Sequence, residues 1–190
     1  SPIGVGLRRY KDLNGDGKVD AANDREILGD ANPKFFGGLT NTFAYKGFEL
    51  NVFLQYSYGN KILNYNAMEL ENPTGGQNAY ADMVNRWTPE NPYSEGPRTW
   101  DRENQYWINN DNTYFMRNAN YLRLKNIELG YTFNFEGLKK AGISNLRLYT
   151  NGTNLITIDG VKDADPEQRD ASLGGYPLRK IINFGVQATF

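Results

Sequence analysis

The sequence contains neither cysteine nor histidine. The first absence excludes a disulfide scaffold, a thiolate zinc site and a cysteine nucleophile. The second excludes a Ser-His-Asp triad and imidazole metal sites. An excess of one charge is also lacking: 21 basic side chains stand against 22 acidic ones, a formal balance of −1. That balance offers a phosphate backbone no attraction, so nucleic acid is not an expected partner. No apolar run approaches the roughly 18 residues of a membrane helix, and the mean hydropathy is −0.68. A β-barrel escapes this test, because its strands alternate and average to a hydrophilic value. Ser1-Pro2 opens the chain without the charged and apolar regions of a secretory signal. The expectation is a cytosolic product, a processed product or a fragment.

What is present is glycine, 20 residues of it, and aromatics: ten Phe, thirteen Tyr and three Trp. Many of these fall on alternating patterns. Phe48, Leu50, Val52, Leu54, Tyr56 and Tyr58 alternate with Glu49, Asn51, Gln55 and Ser57, and Leu39, Phe43 and Tyr45 do so before the pair Lys46-Gly47. A period of two predicts strands, and a two-residue link ending in glycine predicts a tight hairpin. Alternation resumes at Ile127, Leu129, Tyr131 and Phe133, again from about Leu146 to Ile158, and finally at Ile182, Phe184, Val186, Ala188 and Phe190. No helical period of any length and no internal repeat is found.

The reading is all-β: five antiparallel strands of ten or more residues each. Globular strands are usually nearer five or six, whereas ten is what a tilted strand needs to cross a bilayer. The segments are an Asp/Asn-rich loop (1–34), a hairpin (35–62), a long loop (63–118), a second hairpin (119–158), a loop (159–178) and a terminal strand (179–190). Short links therefore lie on one side and long loops on the other, as in an outer-membrane barrel with extracellular loops. Tyr45, Phe48, Tyr131, Phe133 and Phe190 fall at the short-link ends, where an aromatic girdle would sit. The competing architecture is a soluble β-sandwich, whose strands are shorter and whose loops are not sorted by side. The ending, with Asn183, Gly185, Ala188 and C-terminal Phe190, looks like the signal read by barrel-assembly machinery. Five strands cannot close a barrel, so the chain is expected to be the C-terminal part of a larger one.

Several segments, in order, resemble one family, the SusC/RagA-type TonB-dependent outer-membrane transporters of Bacteroidota. They are 12–20 (DLNGDGKVD) with 23–25 (NDR), 33–41 (PKFFGGLTN), 45–51 (YKGFELN), 55–62 (QYSYGNKI), 85–92 (NRWTPENP) with Pro97-Arg98, and 121–131 (YLRLKNIELGY). Residues 146–149 (LRLY), Asn154-Leu155 and 165–167 (DPE) complete the set. The resemblance implies a 22-stranded transmembrane β-barrel with an N-terminal plug. It implies import of glycans or peptides together with a SusD-like surface lipoprotein, powered by TonB through a part absent from this chain. The partners implied are the rest of the barrel and plug, the lipoprotein, TonB and outer-membrane lipid. The alternative is a soluble extracellular carbohydrate-binding β-module with a calcium loop. A third reading is a purely structural surface protein.

Asp12, Asn14 and Asp16 occupy positions 1, 3 and 5 of a calcium-type loop, with Gly17 at the sharp turn, the Lys18 carbonyl at position 7 and Asp20 at position 9. Asn23 stands at position 12, where an acidic residue is usual, and Asp24 comes one residue late. An insertion near Ala21-Ala22 would let Asp24 close the loop around a structural Ca²⁺. A solvated Asx-turn loop without metal is the other reading. In the long loop, Trp87 reads as structure, and Trp100, Tyr106 and Trp107 are candidates for ligand or partner contact, because rings stack on sugar faces. Arg123 and Lys125 read as a solvated strand end or a headgroup contact. Asp101, Glu103, Asp163, Asp165 and Glu167 have no defined separation, which glycosidase chemistry requires, so an enzyme is not expected.

Overall fold

The computed structural model describes residues 5–71, 78–99, 112–161, 164–168 and 176–190. The long strands are β1 (Phe35–Tyr45), β2 (Phe48–Tyr58), β5 (Tyr121–Phe133), β6 (Asn145–Asp159) and β7 (Ile181–Thr189). Two short strands, β3 (Lys61–Leu63) and β4 (Met116–Asn118), form a second sheet. Two helices of six and five residues, α1 (Tyr65–Leu70) and α2 (Glu136–Lys140), were not expected from the sequence. Each is too short for a 3.6-residue period to show. The chain divides into two compact units, one of Ser1–Gly29, Leu63–Met116 and Asp170–Leu173, the other of Asp30–Ile62, Arg117–Arg169 and Gly174–Phe190.

The second unit is an antiparallel five-stranded sheet in the order β1-β2-β5-β6-β7, so every long strand pairs with the next long strand in the chain. Its register sorts the side chains into two faces. One row runs Tyr45–Phe48–Tyr131–Leu148–Val186, the next alternate row Phe43–Leu50–Leu129–Thr150–Phe184, and the next Asn41–Val52–Ile127–Gly152–Ile182. The rows between them carry Thr42–Asn51–Glu128–Asn151–Asn183 and Gln55–Arg123–Thr157. Opposed residues in a ladder share a face, so one face is predominantly apolar and the other predominantly polar across the five strands. The apolar face is bare: Phe43 is 60% exposed and Phe184 is 83% exposed. A soluble monomer rarely leaves a continuous apolar surface of this breadth in water.

Two features hold this pattern in phase. The Lys46-Gly47 link has φ of 46° and 89° at its two residues, the left-handed pair that a two-residue hairpin turn requires. On β5 the period breaks: Leu54 pairs with Leu124, but Phe53 pairs with Asn126, leaving Lys125 as an extra residue. This bulge returns Ile127 and Leu129 to the apolar face shared by Leu122 and Leu124. It also explains why alternation is legible in the sequence only from Ile127, although the strand starts at Tyr121.

The short links 46–47 and 134–144 lie at the same end of the sheet. The expected aromatics gather there: the Phe48 and Tyr131 ring centroids are 4.5 Å apart, and those of Tyr131 and Phe133 are 4.8 Å apart. In the first unit, the stretch read as loop contains α1, a 3₁₀ turn at Ala81–Asn85 and a small core of Ala67, Met68 and Phe115 backed by Leu63 and Tyr80. Trp87 packs against the Gly6 backbone, where a Cβ would lie 2.4 Å from the indole ring.

A Cβ at position 47 would sit 2.9 Å from the Thr132 carbonyl oxygen in a left-handed backbone. Gly47→Ala is therefore expected to cost about 1–3 kcal/mol, read as a lowered melting temperature. Lys46→Asn, which suits the left-handed region, should leave the melting temperature nearly unchanged.

Candidate functional site

Two polar constellations stand out, one in each unit. In the first unit, residues 12–24 form a loop folded around its own carboxylates. Gly15 N–H donates to Asp12 Oδ1 at 2.7 Å and Gly17 N–H to Asp12 Oδ2 at 2.8 Å. Asp16 N–H donates to Asn14 Oδ1 at 3.1 Å, Lys18 N–H to Asp16 Oδ1 at 2.8 Å, and Asn14 Nδ2 to Asp16 Oδ2 at 2.9 Å. Asp24 closes the loop: its two oxygens accept from Leu13 N–H and Asp20 N–H, each at 2.7 Å. Those N–H groups, Asp20 first and Leu13 next, hold the Asp24 carboxyl below the usual carboxylate range. Asn23 turns its amide toward Asp20 at 3.4 Å instead.

The donor set fits a hard cation, since each carboxylate oxygen keeps a lone pair beyond the one its N–H uses. Among the described residues, however, three acidic side chains do not converge on a common point. The loop as it stands is closed by hydrogen bonds. Asp24→Ala removes both closing acceptors. The expected result is faster proteolytic cleavage within 12–24, with Asn23→Ala having a much smaller effect.

In the second unit, the polar face of β5 and β6 carries an ion-pair cluster at the long-loop end, centred on a buried arginine. Arg123 is 2% exposed. Its Nη2 donates to Asp165 Oδ1 at 2.9 Å, its Nη1 to Glu167 Oε2 at 2.5 Å, and its Nε to Thr157 Oγ1 at 3.0 Å. Tyr121 donates its hydroxyl to Glu167 Oε1 at 3.0 Å and accepts from Gln55 Nε2 at 3.0 Å. Lys125, the bulge residue, brings its Nζ to 3.2 Å from Glu167 Oε2. Two cations thus meet two carboxylates, and the Arg123 Nε and the Tyr121 hydroxyl each find an acceptor.

This corrects the reading of Arg123 as a solvated strand end or headgroup contact, whereas Lys125 stays partly exposed. Both lie on the polar face, and Asp165 and Glu167 cover Arg123. The signal available in the sequence was the face: Arg123 shares the phase of Gln55 and Tyr121, opposite Leu122 and Leu124. The partners were not visible, because Asp165 and Glu167 lie more than forty positions further on. A smaller cluster on the same face joins Arg147 to Glu128 at 2.7 Å and to Glu49 at 3.7 Å.

Of the other candidates, Trp100, Tyr106, Trp107, Asp101, Glu103 and Asp163 lie outside the described residues. Asn183 and Gly185 lie on the polar face of β7, and Ala188 lies on the apolar face opposite Leu146. Asn183 Nδ2 donates to Asn151 Oδ1 at 2.9 Å. Gly185 lies beneath the Tyr149 ring, so close that a Cβ would fall 2.2 Å from it. Phe190 is exposed just beyond β7.

Burial pushes the Glu167 carboxyl up, but the Tyr121 hydroxyl, Lys125 and Arg123 outweigh it and hold the group below its ordinary value. Its contribution to stability is therefore complete at neutral pH. It is lost as pH falls from about 4.3, the ordinary glutamate value, through the depressed one. The melting temperature of the wild type should fall in that acid window more than that of Glu167→Gln.

No family model matches the chain. It is 40% identical over 194 residues to TonB-dependent receptor P3 of Formosa agariphila, covering 95% of this chain and 19% of that protein. It is 26% identical over 190 residues to TonB-dependent receptor SusC of Bacteroides thetaiotaomicron, covering 95% of this chain and 17% of that one. The fold superposes on the RagAB peptide transporter with a TM-score of 0.76 at 26% identity, over 91% of this chain and 19% of that chain. The sheet with one bare apolar face is thus of the kind found in TonB-dependent transporters. The chain belongs to their SusC/RagA family. It spans about a fifth of the length of the curated relatives it matches.

Proposed function

We propose that this chain is the C-terminal portion of a 22-stranded outer-membrane barrel that imports glycans or peptides. The observation that carries the reading is the two-faced sheet. Its five strands are long enough to cross a bilayer, with an unbroken apolar row on one side and acids, amides and arginines on the other. Lipid is the solvent in which the apolar face is stable, and a water-filled lumen is the surrounding that suits the polar face. The outer edges of β1 and β7 would be paired by further strands, since an open strand edge is not tolerated in lipid.

The long connections would then be extracellular, and the aromatic cluster around Phe48, Tyr131 and Phe133 would lie at the periplasmic interface. A SusD-like lipoprotein would cover the extracellular side, and TonB would act through the part of the protein outside this chain. Relatives named as receptors, and the polar pairing of Asp165 and Glu167 with Arg123, favour transport over catalysis. The choice between glycan and peptide rests with residues beyond this chain and with the candidates Trp100, Tyr106 and Trp107. The full-length protein should fractionate with outer membranes and migrate as a compact band that shifts on boiling. Recovery in the soluble fraction without such a band would favour the soluble carbohydrate-binding module.

We also propose that the 12–24 loop holds Ca²⁺ through Asp12, Asn14, Asp16, the Lys18 carbonyl, Asp20 and Asp24, with Asn23 outside the set. Bound calcium would tie together a loop that hydrogen bonds already pre-fold. Elemental analysis of the full-length protein should find calcium, and chelation should lower the melting temperature. An unchanged melting temperature and no detectable calcium would leave the loop as a metal-free Asx-turn structure.

A further inference from the structure

Alternation of apolar and polar residues fixes the faces of a strand but not its register. A slip of one residue exchanges the faces, whereas a slip of two restores them. The two-residue turn at Lys46-Gly47 restrains β1 against β2, but the long connection between Asp159 and Ile181 puts no such restraint on β7. Alignments two residues apart must be told apart by the side chains themselves. The glycines of β1, β5 and β7 are Gly37, Gly38, Gly130 and Gly185, and each lies beneath a large side chain of the neighbouring strand. A Cβ at Gly37 would stand 2.8 Å from the Tyr56 hydroxyl oxygen, and one at Gly38 2.6 Å from Phe53 Cε2. A Cβ at Gly130 would stand 2.7 Å from Arg147 Nη2, which Glu128 holds at 2.7 Å. At Gly185 a Cβ would overlap the ring of Tyr149, the residue directly opposite. Two positions away on the same face of β7 stand Asn183 and Gln187, whose side chains would fill that space. Tyr149 can therefore lie across β7 at one alignment only. Between β2 and β5 the register shift at Phe53 and Leu54 plays the same part, because a bulge fits one alignment.

We propose that these glycines are register keys. Each admits one large side chain from the next strand and excludes alignments displaced by two residues. Tyr149 on Gly185 is the key that seats the terminal strand. The keys belong to the sheet and hold whichever solvent meets its faces. They also give Gly185 a role inside the sheet, separate from recognition of the C-terminal segment by assembly machinery.

The experiment reads register in the full-length protein by disulfide cross-linking with iodine, any cysteine elsewhere in that protein being replaced. Thr150→Cys is combined either with Phe184→Cys, its opposed residue, or with Ile182→Cys, two positions away. Opposed Cα atoms lie about 4.5–5.5 Å apart, within disulfide reach, and displaced ones about 7–8 Å apart, beyond it. With the keys intact, the opposed pair should cross-link and the displaced pair should not. Gly185→Ala should lower the yield of the opposed pair about tenfold, the scale of an overpacked contact, and adding Tyr149→Ala should restore most of it. Asn183→Gly with Gly185→Asn moves the key by two residues and should transfer cross-linking to the displaced pair. An unchanged opposed-pair yield in Gly185→Ala overturns the proposal, and so does a moved key that leaves the displaced pair unlinked. A Gly185→Ala defect that Tyr149→Ala does not relieve assigns the glycine to recognition by assembly machinery and overturns it as well. The boiling-dependent gel shift of the unsubstituted protein is read in parallel, and its absence would overturn the barrel reading, leaving the keys to be judged by the cross-links.

Discussion

A sheet that is apolar on one side and polar on the other tolerates no slip of register, because moving a strand by one residue exchanges its two faces. That constraint organises the second unit. The left-handed pair at Lys46-Gly47 locks β1 against β2. The bulge at Lys125 corrects the phase of β5 partway along its length, so that Leu122, Leu124, Ile127 and Leu129 all reach one surface. Gly185 yields its side-chain space to Tyr149 on the polar side of β6 and β7. Each device is local, and together they keep a single apolar surface intact across five strands.

The same constraint decides where charge can go. Arg123, Arg147, Glu49 and Glu128 belong to the polar phase, and the structure pairs them there rather than leaving them single. The densest pairing lies at the long-loop end, where the chain folds the Asp165-Pro-Glu167 turn onto the bulged part of the sheet. The other polar constellation, at residues 12–24, is self-contained: its carboxylates are satisfied by its own backbone, with Asp24 as the closing residue.

Much of this was legible in the sequence. The hairpin at 35–58 was readable to the residue, because a period of two with few breaks, Phe53 among them, and a two-residue glycine link leave little freedom. The family resemblance lay in short segments distributed along the whole chain. What was hidden has physical reasons. The upper half of β5 was obscured by the extra residue at Lys125, which breaks the period being sought. The helices α1 and α2 are too short to carry one. The role of Arg123 depended on partners brought together only by the fold, and reading it as a strand end took position along the strand into account but not its face. Asp24 was seen as late for a calcium loop, and its closing contacts with Leu13 and Asp20 emerged only in three dimensions.

The central claim is that the apolar face meets lipid while the polar face meets water. It is tested most directly by placing single spin labels on neighbouring residues of β2, β5 and β7 of the full-length protein in a bilayer and comparing a lipid-soluble with a water-soluble relaxant. Labels at Leu50, Leu129 and Phe184 should respond to the lipid-soluble agent, and labels at Asn51, Glu128 and Asn183 to the aqueous one, alternating residue by residue. Equal access of the aqueous agent to both sets would contradict the account.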